Sequence, residues 1–137
     1  MPMTFSMYLQ VCHLDRSLPF YRDALGLEVA WKDDMVAVLR GTGDASATLL
    51  LREIGGEPKQ HLGEAGVTRI GWQATSSAEL DSAEERLAQY GAQYERTDAE
   101  DGGRIVTHDP DGLRVILFLP REPSLAVKPP AFIYWHH

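Results

Sequence analysis

The sequence has few cysteines, few basic residues and no long apolar runs, and each shortage excludes a class of protein. Cys12 is the single cysteine among 137 residues, so no intrachain disulfide forms. Lys and Arg number 13 against 20 Asp and Glu, which gives a net charge of −7 that repels nucleic-acid phosphates and anionic lipid. No apolar run reaches the roughly 18 residues of a membrane span. We therefore expect a cytoplasmic protein without nucleic-acid or membrane partners.

The composition is that of a globular domain, with 44% hydrophobic and 24% charged residues. Alternation predicts a first strand over Phe5–Val11. Asp15 is then expected to cap a helix over Arg16–Leu25 that ends at Gly26. Three more strands are predicted over Leu27–Lys32, Met35–Arg40 and Ala47–Ile54.

The second half repeats this order. A strand is predicted over Val67–Ala74, and Ser76 with Glu79 forms a capping box that opens a helix ending at Gly91. Strands follow over Ala92–Arg96, Arg104–Thr107 and Leu113–Leu119. The pattern predicts an α+β fold of tandem βαβββ modules that share one domain, since each module is too small to bury its own core. The predicted parts are module one over 4–55, a linker over 56–66, module two over 67–120 and a tail over 121–137.

Two strings in these modules carry a family resemblance. The segments Leu14–Leu27 and Asp109–Val115 resemble the vicinal oxygen chelate superfamily, which includes glyoxalase I, extradiol dioxygenases, fosfomycin-resistance enzymes and bleomycin-resistance proteins. The resemblance implies that each module curls its mixed, mostly antiparallel sheet into an open cup, and that two cups face each other within a chain or across a dimer. Fold alone does not give function.

The resemblance also identifies where a metal would be held. Metal-dependent members place ligands on the first and fourth strand of each module, and these positions correspond here to Ser6, Leu50, Arg69 and Ile116. Serine is a poor ligand, leucine and isoleucine are none, and the fixed charge of arginine repels a cation. We therefore predict that the protein uses no metal and no cofactor.

Aromatic residues on the strands are the candidates for a ligand wall, although each of them is also able to fill the core. An arginine on an inner strand needs a carboxylate partner or a ligand acceptor, and the sequence leaves both open for Arg69. The tail carries an apolar Phe-Ile-Tyr-Trp run that is expected to pack on a partner chain in a homodimer. The predicted ligand-binding residues are Tyr8, Trp31, Leu50, Arg69, Trp72, Ile116, Phe118 and Trp135.

These features favour a non-catalytic protein similar to the bleomycin-resistance branch. It would sequester a planar aromatic natural-product antibiotic and so confer self-resistance, with no catalytic residue. The alternative is a lyase, isomerase or dioxygenase of a natural-product pathway, with acid–base chemistry by His108, His13, Glu28 or Tyr8. Cys12 is predicted to be a small buried residue rather than a nucleophile.

Overall fold

The computed structural model describes residues 5–41, 47–57, 69–99 and 102–120. The chain divides into two compact units, the first comprising residues 1–59 and 109–112 and the second residues 60–108 and 113–137. The predicted tail, with Trp135, lies outside the described residues, as does most of the predicted linker. Within the described ranges, no helix is long and apolar enough to cross a membrane.

The first unit contains a four-stranded mixed sheet. Its strands are β1 Phe5–Val11, β2 Glu28–Lys32, β3 Val36–Arg40 and β4 Ala47–Glu53. They lie in the order β1-β4-β3-β2, in which β1 runs parallel to β4 and the other two pairs are antiparallel. These bounds confirm the four predicted strands, with ends that differ by at most one residue.

The helical segment of the first unit lies against β3 and β4. It begins as α1, Leu14–Pro19, and continues as a π-helical turn over Phe20–Ala24. The chain leaves this turn at Gly26, whose φ of 81° is a left-handed conformation that favours glycine. The predicted stop at Gly26 is therefore confirmed.

The predicted N-cap of this helix is wrong. The capping position is occupied by His13, whose side chain makes no cap hydrogen bond, and Asp15 already lies inside the first turn. The backbone N–H of Leu14 instead donates to Glu53 Oε1 at 2.8 Å, from the end of β4. A carboxylate that is distant in sequence thus satisfies the helix start, so no local cap is needed.

The face of the first sheet that packs against α1 is the apolar core of this unit. Alternate residues of three strands point to it and are buried, as are the inward residues of the helical segment. The strand residues of this core are Val11, Ala37, Leu39, Leu49 and Leu51.

The second unit repeats the arrangement of the first. Its elements are β5 Arg69–Gln73, α2 Ser77–Tyr90, β6 Tyr94–Ala99, β7 Gly102–His108 and β8 Arg114–Pro120. The sheet has the order β5-β8-β7-β6, with β5 parallel to β8 and the remaining pairs antiparallel. The identical strand order in both units confirms the α+β fold of tandem βαβββ modules.

The second helix begins at the predicted capping box. Ser76 Oγ accepts from the backbone N–H of Glu79 at 3.2 Å, and Glu79 Oε1 accepts from the backbone N–H of Thr75 at 2.9 Å. The helix ends at Gly91, whose φ is 88°. Leu80, Ala83 and Leu87 form the buried stripe that packs on β7 and β8.

Candidate functional site

The first sheet has a second face, turned away from α1, which we call the first open face. Tyr8 on β1 pairs with Leu50 on β4, and Leu50 pairs with Val38 on β3. Residues paired in register point to the same side of a sheet, so these three side chains are neighbours on one face. Tyr8 is 77% exposed, an unusual position for a large ring in a folded chain.

A β-bulge places Trp31 on the same face. Val29 pairs with Leu39, but the next pair is Trp31 with Val38, so Ala30 is an extra residue in β2. Strict alternation from Val29 would have turned Trp31 toward the core. The bulge reverses this orientation, and the indole is 54% exposed.

The first open face contains an open groove of about 760 Å³. Its lining is mainly apolar, with one amide and one guanidinium beside a phenol ring. The side chains that line it include Tyr8, Gln10, Met35, Val36, Leu50 and Arg52. Two predicted ligand-binding residues, Tyr8 and Leu50, therefore line one groove, and the predicted Trp31 shares its face. Such a surface can stack a planar ring and hydrogen-bond its edge.

The corresponding face of the second sheet, turned away from α2, carries three more predicted residues, of which Ile116 is 0% exposed. Arg69 pairs with Arg114, and Ile116 and Phe118 alternate with Arg114 along β8. Trp72 pairs instead with Leu117, on the side that packs against α2. Arg69 and Trp72 thus face opposite sides, as their three-residue spacing predicts, and Trp72 takes the core position of its two possible roles.

The four positions that the family resemblance assigns to a metal do not fit a cation here. Ser6 Oγ is hydrogen-bonded to Thr48 Oγ1 at 2.6 Å, and the side chains of Leu50 and Ile116 carry no donor atom. Arg69 has a fixed positive charge that opposes a divalent ion. Divalent metals in proteins usually take three side-chain ligands of the imidazole, carboxylate or thiolate type, and none is present at these positions.

A different group of ligand-type side chains lies at the start of α1, and the sequence reasoning missed it. The ligand atoms of His13, Asp15 and Glu53 all lie within 4.8 Å of one another. Glu53 also accepts the hydrogen bond from Leu14 that caps the helix, which gives this carboxylate a structural role. Sequence proximity links His13 with Asp15, but Glu53 joins them only through the pairing of β1 with β4.

Of the residues considered for acid–base chemistry, Tyr8 and Glu28 lie apart within the first unit. Tyr8 and Glu28 lie on the two edge strands of the first sheet, three strand spacings or about 14 Å apart. His108 is exposed at the end of β7 in the second unit. Proton transfer requires hydrogen-bond reach or a single bridging water, so Tyr8 and Glu28 do not form a catalytic pair.

Cys12 has the environment of a structural cysteine. The side chain is buried, and burial together with the nearby Asp111 carboxylate raises the pKa of its thiol. A raised pKa lowers the thiolate fraction at neutral pH and hence the reactivity of the sulfur. The burial confirms the prediction that Cys12 is a small buried residue.

The two strings that carry the family resemblance meet in the first unit. The Tyr21 hydroxyl donates to Asp109 Oδ2 at 2.7 Å, and the backbone N–H of Cys12 donates to Asp111 Oδ2 at 3.0 Å. Burial and the Asp109 carboxylate both raise the pKa of Tyr21, which keeps the phenol protonated as a donor. The Asp-Pro-Asp-Gly turn is completed by Gly112, whose φ is 88°. These contacts between the two strings therefore stabilise the first unit.

Comparison with known proteins identifies a family for these elements. The model of the Glyoxalase/Bleomycin resistance protein/Dioxygenase superfamily matches residues 4–117. No curated protein matches the sequence significantly.

Solved structures of the same fold are numerous. A glyoxylase/bleomycin resistance protein/dioxygenase domain from Frankia sp. EAN1pec is 23% identical with a TM-score of 0.70, covering 91% of this chain and 96% of its own. Lactoylglutathione lyase from Agrobacterium tumefaciens is 20% identical with a TM-score of 0.63, covering 85% and 92%. Fosfomycin resistance protein FosX from Mesorhizobium loti is 17% identical with a TM-score of 0.64, covering 91% and 97%. Identities this low establish the fold alone.

Proposed function

Because this chain belongs to the Glyoxalase/Bleomycin resistance protein/Dioxygenase superfamily, we propose that it binds a planar aromatic small molecule and sequesters it without chemical change. The ligand would lie on the first open face, stacked on Tyr8 in the groove and flanked by Trp31. A natural-product antibiotic is the ligand class that fits both this surface and the resistance functions named within the superfamily. The protein would then protect its cell by lowering the free drug concentration.

The observation that carries this proposal is the exposure of two large rings on one sheet face. Tyr8 and Trp31 are 77% and 54% exposed, and the neighbouring Met35 is exposed as well. Exposed apolar clusters of this kind mark binding surfaces rather than ordinary solvent contacts. Each aromatic stack adds about 0.5–1.5 kcal/mol beyond the burial of area. Sequestration at nanomolar affinity requires about 12 kcal/mol in total, so a closely fitting conjugated ligand is needed.

The four positions that the resemblance assigns to a metal carry no suitable ligand in this chain. This supports binding of an unchanged small molecule rather than metal-assisted chemistry at those positions. Leu50, which takes the place of a ligand, lines the groove beside Tyr8 and offers an aromatic ring apolar contact. Where relatives that use a metal need a donor atom, this chain has a hydrocarbon side chain. The substitution turns a coordination position into part of a hydrophobic wall.

We also propose that the protein is a homodimer and that Trp135 of the tail contributes to the ligand wall. The run from Phe132 to Trp135 is apolar, and such a run is stabilised by packing on a protein surface. Light scattering on the full chain and on a chain ending at Pro130 tests both points. Dimerisation lost together with ligand affinity supports the tail as an interface, whereas a truncated dimer with full affinity contradicts it.

A second candidate is a small-molecule lyase, isomerase or dioxygenase of a natural-product pathway. The observation in its favour is the group of His13, Asp15 and Glu53, whose ligand atoms are mutually within 4.8 Å. Imidazole and carboxylate are ligand types that divalent metals accept. Metal analysis of protein purified without chelator distinguishes the candidates, because stoichiometric metal that is lost in a Glu53→Gln variant favours the enzyme.

The main experiment is a binding screen with product analysis. Native mass spectrometry against bleomycin and an anthracycline detects complexes, and chromatography of the released ligand shows whether it has changed. We expect a one-to-one complex with unchanged ligand and an affinity roughly 5–30-fold weaker in Tyr8→Ala, as the loss of one stacked ring implies. Tyr90→Ala removes a ring from α2 that is 40% exposed, and it serves as the control variant. A converted ligand, or equal binding by both variants, contradicts the proposal.

A further inference from the structure

We propose that the small molecule bound on the first open face is an aromatic acid, whose carboxylate is held by the guanidinium of Arg52 and the side-chain amide of Gln10. This inference rests on the ring-stacking function proposed above, and it names the ligand class for the same groove. The ring and the acid group of the ligand contact different residues, so the two proposals fail in different experiments.

The register of the strands places a polar row beside the apolar one on this face. The apolar row runs from Tyr8 on β1 through Leu50 on β4 to Trp31 on β2. Two residues further along the same strands, Gln10 pairs with Arg52. Two residues of a strand span about 6.8 Å. A planar ring stacked on Tyr8 therefore brings a group on its edge within reach of both polar side chains.

Neither polar side chain is engaged by the protein itself. In the part of the chain that the structure describes, the side chains of Arg52 and Gln10 are exposed and take part in no hydrogen bond or ion pair. Arg96, by contrast, donates to Asp81 and Glu84 at 2.7 and 2.8 Å. The N–H donors of a guanidinium and an amide thus lie side by side in the groove, free to bind a ligand.

The charge of the groove is positive although the chain is acidic. Among the described residues that line it, Arg52 carries the only charge. The adjacent Glu53 points to the opposite face by alternation, where it accepts a hydrogen bond from Leu14 at 2.8 Å. Asp33, in the turn before β3, accepts from two backbone N–H groups of that turn at 2.9 and 2.7 Å. In a chain with a net charge of −7, this local excess of positive charge favours a negative group on the ligand.

The chemistry of the two side chains identifies a carboxylate. Guanidinium presents parallel N–H donors that match the two oxygens of a carboxylate, and the amide of Gln10 adds a further donor from the neighbouring strand, about 4.8 Å away. An ammonium group would face Arg52 as a like charge. A neutral ring would cover the guanidinium without offering it an acceptor, which costs free energy. A planar aromatic carboxylate satisfies both the apolar and the polar row.

The test uses the full-length protein and three pyrene probes that share one ring system and differ in charge. The probes are pyrene carboxylate, pyrene carboxamide and pyrene methylamine, and their affinities are measured by fluorescence titration at neutral pH and constant ionic strength. The binding variants are Arg52→Gln, Arg52→Lys and Tyr8→Ala. Thermal unfolding of each variant is measured to compare its stability with that of the wild type.

Arg40→Gln is the matched control for the loss of one positive charge. Arg40 is exposed and pairs with Thr48 on β4, so it lies on the same face as Arg52, and it pairs with Glu28 on the other side. It is one strand and two rows away from Arg52, roughly 14 Å. This distance exceeds the Debye length of about 10 Å at 0.1 M salt, so its charge is largely screened from a ligand bound at Arg52.

We expect the wild type to bind the carboxylate roughly three- to tenfold more tightly than the carboxamide, as one charge-assisted contact at an exposed site implies, and to bind the amine most weakly. Arg52→Gln should abolish this preference and leave the affinity for the carboxamide unchanged. Arg52→Lys should keep part of it, because lysine has the charge but not the fork of donors. Arg40→Gln should keep the full preference, and Tyr8→Ala should weaken all three probes by a similar factor.

Equal affinities of the wild type for carboxylate and carboxamide, or tightest binding of the amine, overturn the inference. It is also overturned if Arg52→Gln and Arg40→Gln show the same preference, or if Arg52→Gln loses carboxylate and carboxamide binding alike, because the arginine then shapes the groove without selecting charge. In each of these cases, a uniform loss in Tyr8→Ala leaves the ring-stacking function standing. A wild type that binds none of the probes overturns both proposals.

Discussion

Replacing Tyr21 with phenylalanine tests the contact that joins the two strings of the family resemblance. The hydroxyl of Tyr21 donates to Asp109 Oδ2 at 2.7 Å, and both residues are buried. Phenylalanine keeps the ring and its packing, so the variant removes one donor and little else. The turn formed by Asp109–Gly112 would then lose its bond to the helical segment.

The expected cost follows from the partner that remains. A hydrogen bond to a charged group contributes about 1.5–3 kcal/mol, and a buried carboxylate left without its donor adds a desolvation penalty. Asp109 is only 5% exposed, but its other oxygen still accepts from the backbone N–H of Asp111. We therefore expect Tyr21→Phe to lower the free energy of unfolding by roughly 2–3 kcal/mol. The midpoint of thermal unfolding should fall by roughly 6–12 °C.

Urea denaturation followed by circular dichroism measures this change. Tyr8→Phe is the matched control, because it removes the same hydroxyl from a ring that is exposed on the first open face, and we expect a change within about 0.5 kcal/mol. A double-mutant cycle with Asp109→Asn isolates the pair, and its coupling energy should exceed about 1 kcal/mol. If Tyr21→Phe costs no more than the control, or if the cycle shows no coupling, the bond between Tyr21 and Asp109 does not stabilise the fold.

Three further predictions concern the second helix and the tryptophans. Ser76→Ala removes the N-cap of α2 and should cost about 1 kcal/mol in urea denaturation, and an unchanged midpoint would contradict the capping box. Hydrogen bonds from Thr75 lower the pKa of Glu79, so the stability that the carboxylate adds is present above its ordinary pKa and is lost as pH falls through the lowered pKa. Glu79→Gln should therefore be less stable than the wild type at pH 7, and the difference should shrink as the pH of the urea denaturation is lowered into the acid range. A difference that does not change with pH would refute this. Two variants each keep one tryptophan, with Trp135 and either Trp72 or Trp31 changed to phenylalanine. Acrylamide should quench the fluorescence of the variant that keeps Trp31 more strongly than that of the variant that keeps Trp72. The reverse order would contradict the bulge in β2.

The repeat in the sequence was enough to predict the fold. Where a helix begins and ends depends on residues next to each other in sequence, such as the capping box of Ser76 and Glu79 or the glycine at position 91. Such local signals can be recognised from the sequence alone. The predicted cap at Asp15 is wrong because Glu53, from a distant strand, accepts the hydrogen bond from the backbone N–H of Leu14 at the helix start. Contacts across strands depend on register, which no single segment contains.

Prediction of the candidate site was less complete for the same reason. The sequence correctly placed Tyr8 and Trp31 on strands but left their faces open, and the extra residue Ala30 decides the face of Trp31. The row of Arg69 with Arg114 was not foreseen, because the two residues are 45 positions apart and meet only through the pairing of β5 with β8.

The sequence by itself determined the elements, their order, their duplication and the chemistry missing from four positions, since residue identity and local backbone preference fix all of these. The tertiary structure alone decided which side chains distant in sequence are neighbours: Tyr8 with Leu50, Arg69 with Arg114, and His13 with Glu53. The two residues of each pair are far apart along the chain. A shift of one residue in the strand pairing would place the side chains of the shifted strand on the opposite face of the sheet.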